Sequence, residues 1–170
     1  MEYTTEQVKK MVYSFREDML SRGIKVGRVC NVKFSKSSSN FGTCLRVMKG
    51  VYEITITDLG LHGDVISTIV HELIHTVEGC YDHGSKFQSI AKKLSLVYNL
   101  DLGTKASKKE MDMTREYRIS KARYVIKCSN PSCNCLILRD RAVGVVKYTY
   151  RYTCGTCGNK LVRVKWEQWY

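Results

Sequence analysis

Long apolar runs are missing from this sequence of 170 residues. No stretch of about 18 uncharged apolar residues occurs, and a helix that spans a membrane needs at least that length. The N-terminal segment MEYTTEQVKKMV also lacks the apolar core of a secretory signal peptide. We therefore expect no membrane partner and a cytoplasmic location.

Acidic residues are scarce in the second half of the chain. Residues 1–83 carry ten basic and ten acidic side chains, whereas residues 84–170 carry eighteen basic and six acidic ones, which accounts for the whole formal net charge of +12. A basic region raises the local concentration of polyanions, nucleic acid above all. An evenly solvated basic surface would give the same composition, so charge alone leaves both interpretations open.

The periodicity of apolar residues predicts an α+β fold for residues 1–102. An amphipathic helix precedes three consecutive β-prone segments, which predict a three-stranded antiparallel sheet, and two further helices follow. The first of these two helices is expected to be buried on most sides, with Asp64 as its N-cap and Gly79 as its stop. The predicted segments are 4–20 (helix), 28–34, 43–50 and 51–58 (strands), and 64–78 and 84–99 (helices).

A polar, highly charged stretch, residues 103–116, separates this region from the rest of the chain. We interpret it as a charged linker or a weak helix. Short β-prone segments alternate with cysteine pairs in residues 117–170, which predicts a second, smaller β domain.

Histidine is also scarce, yet three of the four histidines lie in VHELIHTVEGCYDHG, residues 70–84. His71 and His75 are four apart on the predicted helix, so their side chains lie on one face and can bind one ion. Glu72 lies at the edge of the same face. This is the H-E-x-x-H arrangement, in which two imidazoles bind zinc and the glutamate activates a water molecule.

A catalytic zinc needs a third protein ligand and one open position. The spacing of metzincins would put a glycine and a histidine where this chain has Glu78 and Tyr81, so that pattern does not apply. His83 is the preferred third ligand, because a turn at Gly79 would return it toward the ion. Asp82 and Glu78 are the alternatives.

This pattern predicts a zinc-dependent hydrolase in which Glu72 is the general base. Zinc would act as a Lewis acid and lower the pKa of its bound water toward about 7, and Glu72 would take the proton of that water. A chance match on a buried helix is the competing interpretation. Ionisable side chains on so apolar a helix are costly to bury without a partner, which favours the metal.

Five of the eight cysteines lie between residues 128 and 157. Without a signal peptide, clustered cysteines indicate metal ligands rather than disulfides. Cys128, Cys133, Cys154 and Cys157 give the spacing C-x4-C-x20-C-x2-C, which predicts a closed, structural zinc site, with Cys135 as a rival to Cys133. The remaining cysteines are interpreted as small buried apolar residues. They are Cys30, Cys44 and Cys80.

The segment KYTYRYTC alternates aromatic residues with basic and polar ones, which predicts a strand. One face would present aromatic rings for stacking on bases beside cations that bind phosphates, as in proteins that hold single-stranded nucleic acid. Tyrosines that only cover a small core would give the same pattern. The candidate nucleic-acid contacts are Lys147, Tyr148, Tyr150, Arg151 and Tyr152.

Three features together resemble the SprT-like family of zinc metallopeptidases. They are HELIH at 71–75, HGSKF at 83–87, and the segment from YVIKC to YTCGTCGNKL at 124–161. The first cysteine pair is more widely spaced than is usual in the family. The chain has no counterpart of the long C-terminal tail of eukaryotic members, so we expect the compact bacterial or phage form.

The resemblance implies a small zincin-like metallopeptidase domain at 1–102 and a zinc ribbon at 117–170. It also implies cleavage of proteins crosslinked to DNA. By this resemblance the zinc ligands are His71, His75 and His83, and the catalytic residue is Glu72.

We therefore expect a zinc endopeptidase with one catalytic and one structural Zn2+. It would act on DNA-bound or DNA-crosslinked proteins as a monomer, with single-stranded DNA as the favoured partner and association with the nucleoid in a bacterial host. The alternative is a nucleic-acid-binding zinc protein without protease activity. A third hypothesis is a general protease with no nucleic-acid role.

Overall fold

The computed structural model describes residues 3–37, 40–103 and 108–166. It has the mixed α+β composition that the sequence predicts, and its internal contacts divide it into two compact units, Met1–Thr114 and Arg115–Tyr170. None of the helices in these ranges combines the length and the apolar character that a membrane crossing would require.

Up to Tyr98, the described part of the first unit contains four helices and one sheet. A capping box between Thr4 and Gln7 begins the first helix, because each side chain bonds to the backbone N–H of the other residue. The elements are α1 (Thr5–Ser21), β1 (Arg28–Ser35), β2 (Gly42–Met48), β3 (Val51–Thr57), α2 (Asp58–His62), α3 (Val65–His75) and α4 (Ser85–Tyr98).

The sheet of the first unit is mixed, so the prediction of an antiparallel sheet was wrong. The strand order is β1-β3-β2, with β2 antiparallel and β1 parallel to β3. Strand β3 takes the centre because it buries Tyr52, Ile54 and Ile56, whereas no residue of β2 is fully buried. Consecutive strands in the sequence are therefore not all neighbours in the sheet, and β2 is left at an edge.

Helix α3 crosses the core and packs against α1, α2, α4, β2 and β3. Asp64 caps its N-terminus as predicted and accepts hydrogen bonds from both the N–H and the hydroxyl of Ser67. The helix ends at His75, earlier than predicted. The Thr76 hydroxyl donates to the Leu73 carbonyl and accepts from the Gly27 N–H, which stabilises the end of the helix.

Helix α5 (Lys108–Lys121) runs across the boundary between the two units and overlaps the predicted linker 103–116, of which residues 104–107 lie outside the described part. The second unit contains the strands β4 (Tyr124–Cys128), β5 (Leu136–Arg139) and β6 (Leu161–Trp166), which form an antiparallel sheet in the order β5-β4-β6. Between β5 and β6 lie α6 (Gly144–Lys147) and a 3-10 turn (Thr149–Arg151).

The prediction of a strand around KYTYRYTC was wrong, because α6 and the 3-10 turn occupy this segment. The Thr149 hydroxyl, which is buried, donates to the carbonyl of Val145 at 2.8 Å. The Arg163 guanidinium donates to the Lys147 carbonyl at 2.9 Å and to the Thr149 hydroxyl at 3.0 Å. These tertiary bonds stabilise a helical turn where the local pattern favours an extended chain.

Candidate metal centres and active site

Three histidines converge at the end of α3. The Nε2 atom of His71 lies 3.2 Å from that of His75 and 3.0 Å from that of His83. Two nitrogens bound to one tetrahedral zinc are about 3.3 Å apart, so the three rings already have nearly the separation that a shared ion requires. The alternative ligands Asp82 and Glu78 are not part of this group, which could hold a metal ion.

The tautomer of His75 is fixed by a backbone contact. Its Nδ1 atom lies 2.7 Å from the Cys80 carbonyl oxygen, which can only accept, so Nδ1 carries the proton and Nε2 keeps its lone pair. Gly79, with a φ of 79°, makes the turn that brings the Cys80 carbonyl back to the ring. The hydrogen bond from Nδ1 to the Cys80 carbonyl orients the His75 ring. Metal-binding imidazoles commonly make such a bond through the nitrogen that does not bind the metal.

The buried ring of Phe87 on α4 supports all three imidazoles. Its centroid is 4.9 Å from that of His71, 4.7 Å from that of His75 and 4.8 Å from that of His83. The Gln88 amide donates to the His83 carbonyl at 2.9 Å, which fixes the chain at the start of α4. The rings are therefore held together by the packing of the core, not by the solvent-exposed loop alone.

The donor set fits a metal ion. Burial and the neighbouring His75 and His83 rings lower the pKa of His71 to about 4, so this imidazole is neutral at pH 7. The Nε2 lone pair of His75 faces the His71 ring, and a cation placed among the three Nε2 atoms would accept it. Three imidazole ligands would leave a fourth position, as in catalytic rather than structural zinc sites.

Glu72 is buried beside the histidines, with 6% of its surface exposed. No donor among the described residues hydrogen-bonds its carboxylate, and burial raises its pKa to about 8. No buried side-chain oxygen of the described residues lacks a partner, so the unbonded carboxylate oxygens of Glu72 are open to the cavity, where they can meet a ligand or water. It lines a cavity of about 350 Å3 together with the three histidines.

Strand β2 forms the opposite wall of this cavity, which the sequence did not indicate. Its contributions include Gly42, Cys44 and Arg46, and Tyr81 completes the rim. Arg46 Nη1 donates to the Tyr81 hydroxyl at 3.2 Å, and its guanidinium lies over the Tyr81 ring at 5.6 Å from the centroid. No local motif marks the residues of β2; only the packing of β2 against α3 brings them to the site.

Gly42 approaches Glu72 closely. A Cβ atom added to Gly42 would lie 2.9 Å from both Cγ and Oε1 of Glu72 and 3.1 Å from Cγ2 of Thr68. A methyl group at this position therefore has no room unless the carboxylate moves. The absence of a side chain at Gly42 sets the position of Glu72.

We expect Gly42→Ala to lower the kcat of any reaction that uses Glu72 by about a hundredfold, because a displacement of about 1 Å is enough for such a loss. Zinc content should be unchanged, since the three atoms nearest to the new methyl group belong to Glu72 and Thr68 and not to a histidine. Steady-state kinetics beside metal analysis would test this. Val47→Ala, at an exposed position of the same strand that lines neither cavity, controls for general effects of a substitution in β2. A kcat within threefold of wild type would contradict the positioning role.

Four cysteines of the second unit form a group that could bind a metal ion such as zinc. They are Cys128, Cys133, Cys154 and Cys157, and their sulfur atoms all lie within 4.8 Å of one another. The Cys128 and Cys157 sulfurs are 3.3 Å apart and those of Cys133 and Cys154 are 3.7 Å apart. Sulfurs on a tetrahedral zinc are about 3.8 Å apart, so the group is close to the required geometry.

The electrostatics of this group also suit a cation. Backbone N–H groups of Thr156 and Cys157 lower the pKa of Cys154 to about 6, which favours a thiolate. Burial raises the pKa of Cys128 to about 12, so four thiolates cannot coexist without a positive charge among them. Cys135 is not part of the group, and its carbonyl accepts the N–H of Cys128 instead.

The scattered cysteines differ from one another. Cys80 is buried as predicted and Cys44 is half-buried, but Cys30 is exposed, so the prediction of a buried side chain was wrong there. Cys30 lies on the outer face of β1, where its thiol donates to the Tyr52 carbonyl at 3.2 Å.

The candidate nucleic-acid contacts lie together on the second unit. The rings of Tyr148, Tyr150 and Tyr152 are exposed, and Tyr150 is 74% exposed. The Arg151 guanidinium lies 5.0 Å from the Tyr148 centroid and 5.6 Å from the Tyr150 centroid. Lys147 is also exposed, at the end of α6.

The chain was compared with models of protein families and with curated proteins, and neither comparison found a match.

Proposed function

We propose that this protein is a zinc-dependent endopeptidase of the SprT-like kind, with zinc on His71, His75 and His83 and Glu72 as the general base. The observation that carries the proposal is Glu72, a largely buried residue whose carboxylate opens into the same cavity as the three converging imidazoles and is bonded by no donor among the described residues. A site with a purely structural role has no use for such a group.

Zinc bound at this position would supply Lewis acidity and lower the pKa of a water ligand toward about 7. Glu72 would take the proton from the attacking water and deliver it to the leaving amine. Burial raises the pKa of Glu72 to about 8, which makes the carboxylate a stronger base and lets it hold the proton between these two transfers; a bound zinc ion beside it would favour the ionised form that the first transfer needs. The cavity of about 350 Å3 has a volume within the range of ligand-binding sites in proteins.

The second unit supports a nucleic-acid partner for this peptidase. Exposed tyrosine rings beside a guanidinium are the combination that stacks on unpaired bases and neutralises phosphates. The excess of basic residues in 84–170 also favours the binding of a nucleic acid, because cations neutralise its phosphates. We therefore propose that the substrates are proteins bound or crosslinked to DNA, with single-stranded DNA as the activator.

The test is cleavage of a DNA-binding protein by the zinc-loaded enzyme, with and without single-stranded DNA. We expect DNA to raise the rate by at least about tenfold, and a zinc chelator to stop the reaction. Tyr150→Ala should reduce that stimulation, because stacking on one base contributes a factor of about ten or more. Tyr13→Ala, an exposed tyrosine on α1, is the matched control. Cleavage that is indifferent to DNA would contradict the nucleic-acid part alone.

A nucleic-acid-binding protein without peptidase activity is the second candidate. The exposed group of Tyr148, Tyr150 and Arg151 favours it, because binding needs nothing from Glu72. It predicts binding to single-stranded DNA that weakens steeply with salt, two bound zinc ions and no cleavage of any protein. The same samples would therefore distinguish the two functions.

A further inference from the structure

A second, smaller cavity adjoins the one that contains the histidines. It has a volume of about 190 Å3, and three of its lining residues, Arg46, Tyr52 and Tyr81, also line the first cavity. A chain that occupies the first cavity can therefore extend a side chain into the second without leaving the protein surface. The remaining lining residues are Lys25, Gly27, Lys49, Gly50, Thr76 and Glu78.

The smaller cavity is electropositive. Lys25, Arg46 and Lys49 line it against a single carboxylate, that of Glu78. Within the part of the chain that the structure describes, none of the three cations forms an ion pair; the pairs there involve Arg16, Arg22 and Lys33. Unpaired cations around one concave surface attract an anionic group.

Tyr81 holds the Arg46 guanidinium at the boundary between the cavities. Its hydroxyl accepts the Nη1–H at 3.2 Å, its ring centroid lies 5.6 Å from the guanidinium, and Tyr52 lines the same boundary. Tyr52 is buried and fixed by Gly27, where an added Cβ would collide with the Tyr52 ring. The guanidinium is thus oriented before any ligand arrives, and an oriented guanidinium suits a planar carboxylate, which it can bind through two parallel hydrogen bonds.

The size of the cavity restricts the ligand. Sites for small molecules commonly have volumes of about 300–1,000 Å3, so 190 Å3 suits one side chain better than a nucleotide. An anionic side chain attached to a polypeptide in the neighbouring cavity meets both conditions, namely charge and size.

We propose that this cavity is a subsite for an acidic side chain, aspartate or glutamate, of the polypeptide that occupies the histidine-lined cavity. The proposal rests on the peptidase function proposed above, because that function places a polypeptide in the histidine-lined cavity. The binding of the acidic side chain itself requires no cleavage. The subsite would make the protein select polypeptide segments that carry a carboxylate close to the bond facing Glu72.

The test uses zinc-loaded Glu72→Gln protein, so that peptides are bound and not consumed. Fluorescein-labelled decapeptides that carry a single glutamate at successive positions are compared with the same peptides carrying glutamine, by fluorescence anisotropy. We expect the best glutamate peptide to bind about tenfold more tightly than its glutamine partner. In a Lys25→Gln/Lys49→Gln background this ratio should fall to about threefold, and to about one when Arg46→Gln is added, whereas it should persist in Lys10→Gln/Lys93→Gln, which removes two exposed lysines that do not line the cavity.

Equal binding of all glutamate and glutamine pairs would overturn the subsite. An equal loss in the Lys10/Lys93 control would also overturn it, because the effect would then come from net charge. If the Lys25/Lys49 variant loses affinity for labelled oligothymidylate while the peptides are not discriminated, the cavity binds nucleic acid instead. If the Glu72→Gln protein discriminates the peptides and the wild-type enzyme cleaves none, the subsite stands and the peptidase function fails.

Discussion

Glu72→Gln is expected to lower the kcat for protein cleavage by about a thousandfold and to leave the zinc content unchanged. The amide has nearly the same shape as the carboxyl group, so the cavity and the three imidazoles keep their positions. It cannot accept a proton from water, and general-base catalysis contributes a factor of about 10²–10⁴. The loss should appear in kcat and kcat/KM alike, because the interaction is made only in the transition state.

Two further variants separate the base from the metal. Glu72→Asp retains the charge but withdraws the carboxylate from the cavity, so we expect an intermediate rate. His71→Ala should lose the catalytic zinc and the activity together, because His71 is the histidine whose Nε2 atom lies within 3.2 Å of both others. A Glu72→Gln enzyme that cleaves within threefold of the wild-type rate would show that Glu72 is not the base.

The geometry of the histidine group could be predicted largely from the sequence because its determinants are local. Spacing of four residues on a helix puts His71 and His75 on one face, and a glycine just beyond allows the return of His83. The helix itself followed from its apolar periodicity and from Asp64 at its start. The contact between Phe87 and the three rings, by contrast, depends on how α4 packs and has no signature in the local sequence.

The opposite wall of the cavity could not be predicted, because it depends on strand order. Arg46 and Gly42 reach the site only because β2 is the edge strand beside α3, and the expected antiparallel order of consecutive strands does not describe this sheet. The prediction of a strand from Lys147 to Tyr152 was wrong for a related reason. Its alternation favours a strand, but bonds from Arg163, distant in sequence, stabilise a helical turn.

Removal of the metal from the cysteine group is expected to unfold the second unit while the first unit remains folded. The buried hydrophobic cluster of the second unit is small, and two of its members are themselves cysteines of the group. They are Ile126, Cys128, Val146, Cys154 and Leu161. A core of this size rarely stabilises a domain alone, and in such cases the free energy of metal binding is free energy of folding.

The measurement is hydrogen exchange of the full-length protein, read by mass spectrometry on peptides from both units. In Cys154→Ser we expect β4 and β6 to lose protection by about a thousandfold or more, the zinc content to fall from two ions per chain to one, and α3 to keep its protection. Cys135→Ser is the matched control, because Cys135 lies in the same segment but outside the four-sulfur group. It should retain both zinc ions and the protection of β4.

If Cys135→Ser disrupts the unit as strongly as Cys154→Ser does, the metal is bound by a different set of sulfurs. If Cys154→Ser retains protection and two zinc ions, the second unit is stabilised by its packing and not by a metal.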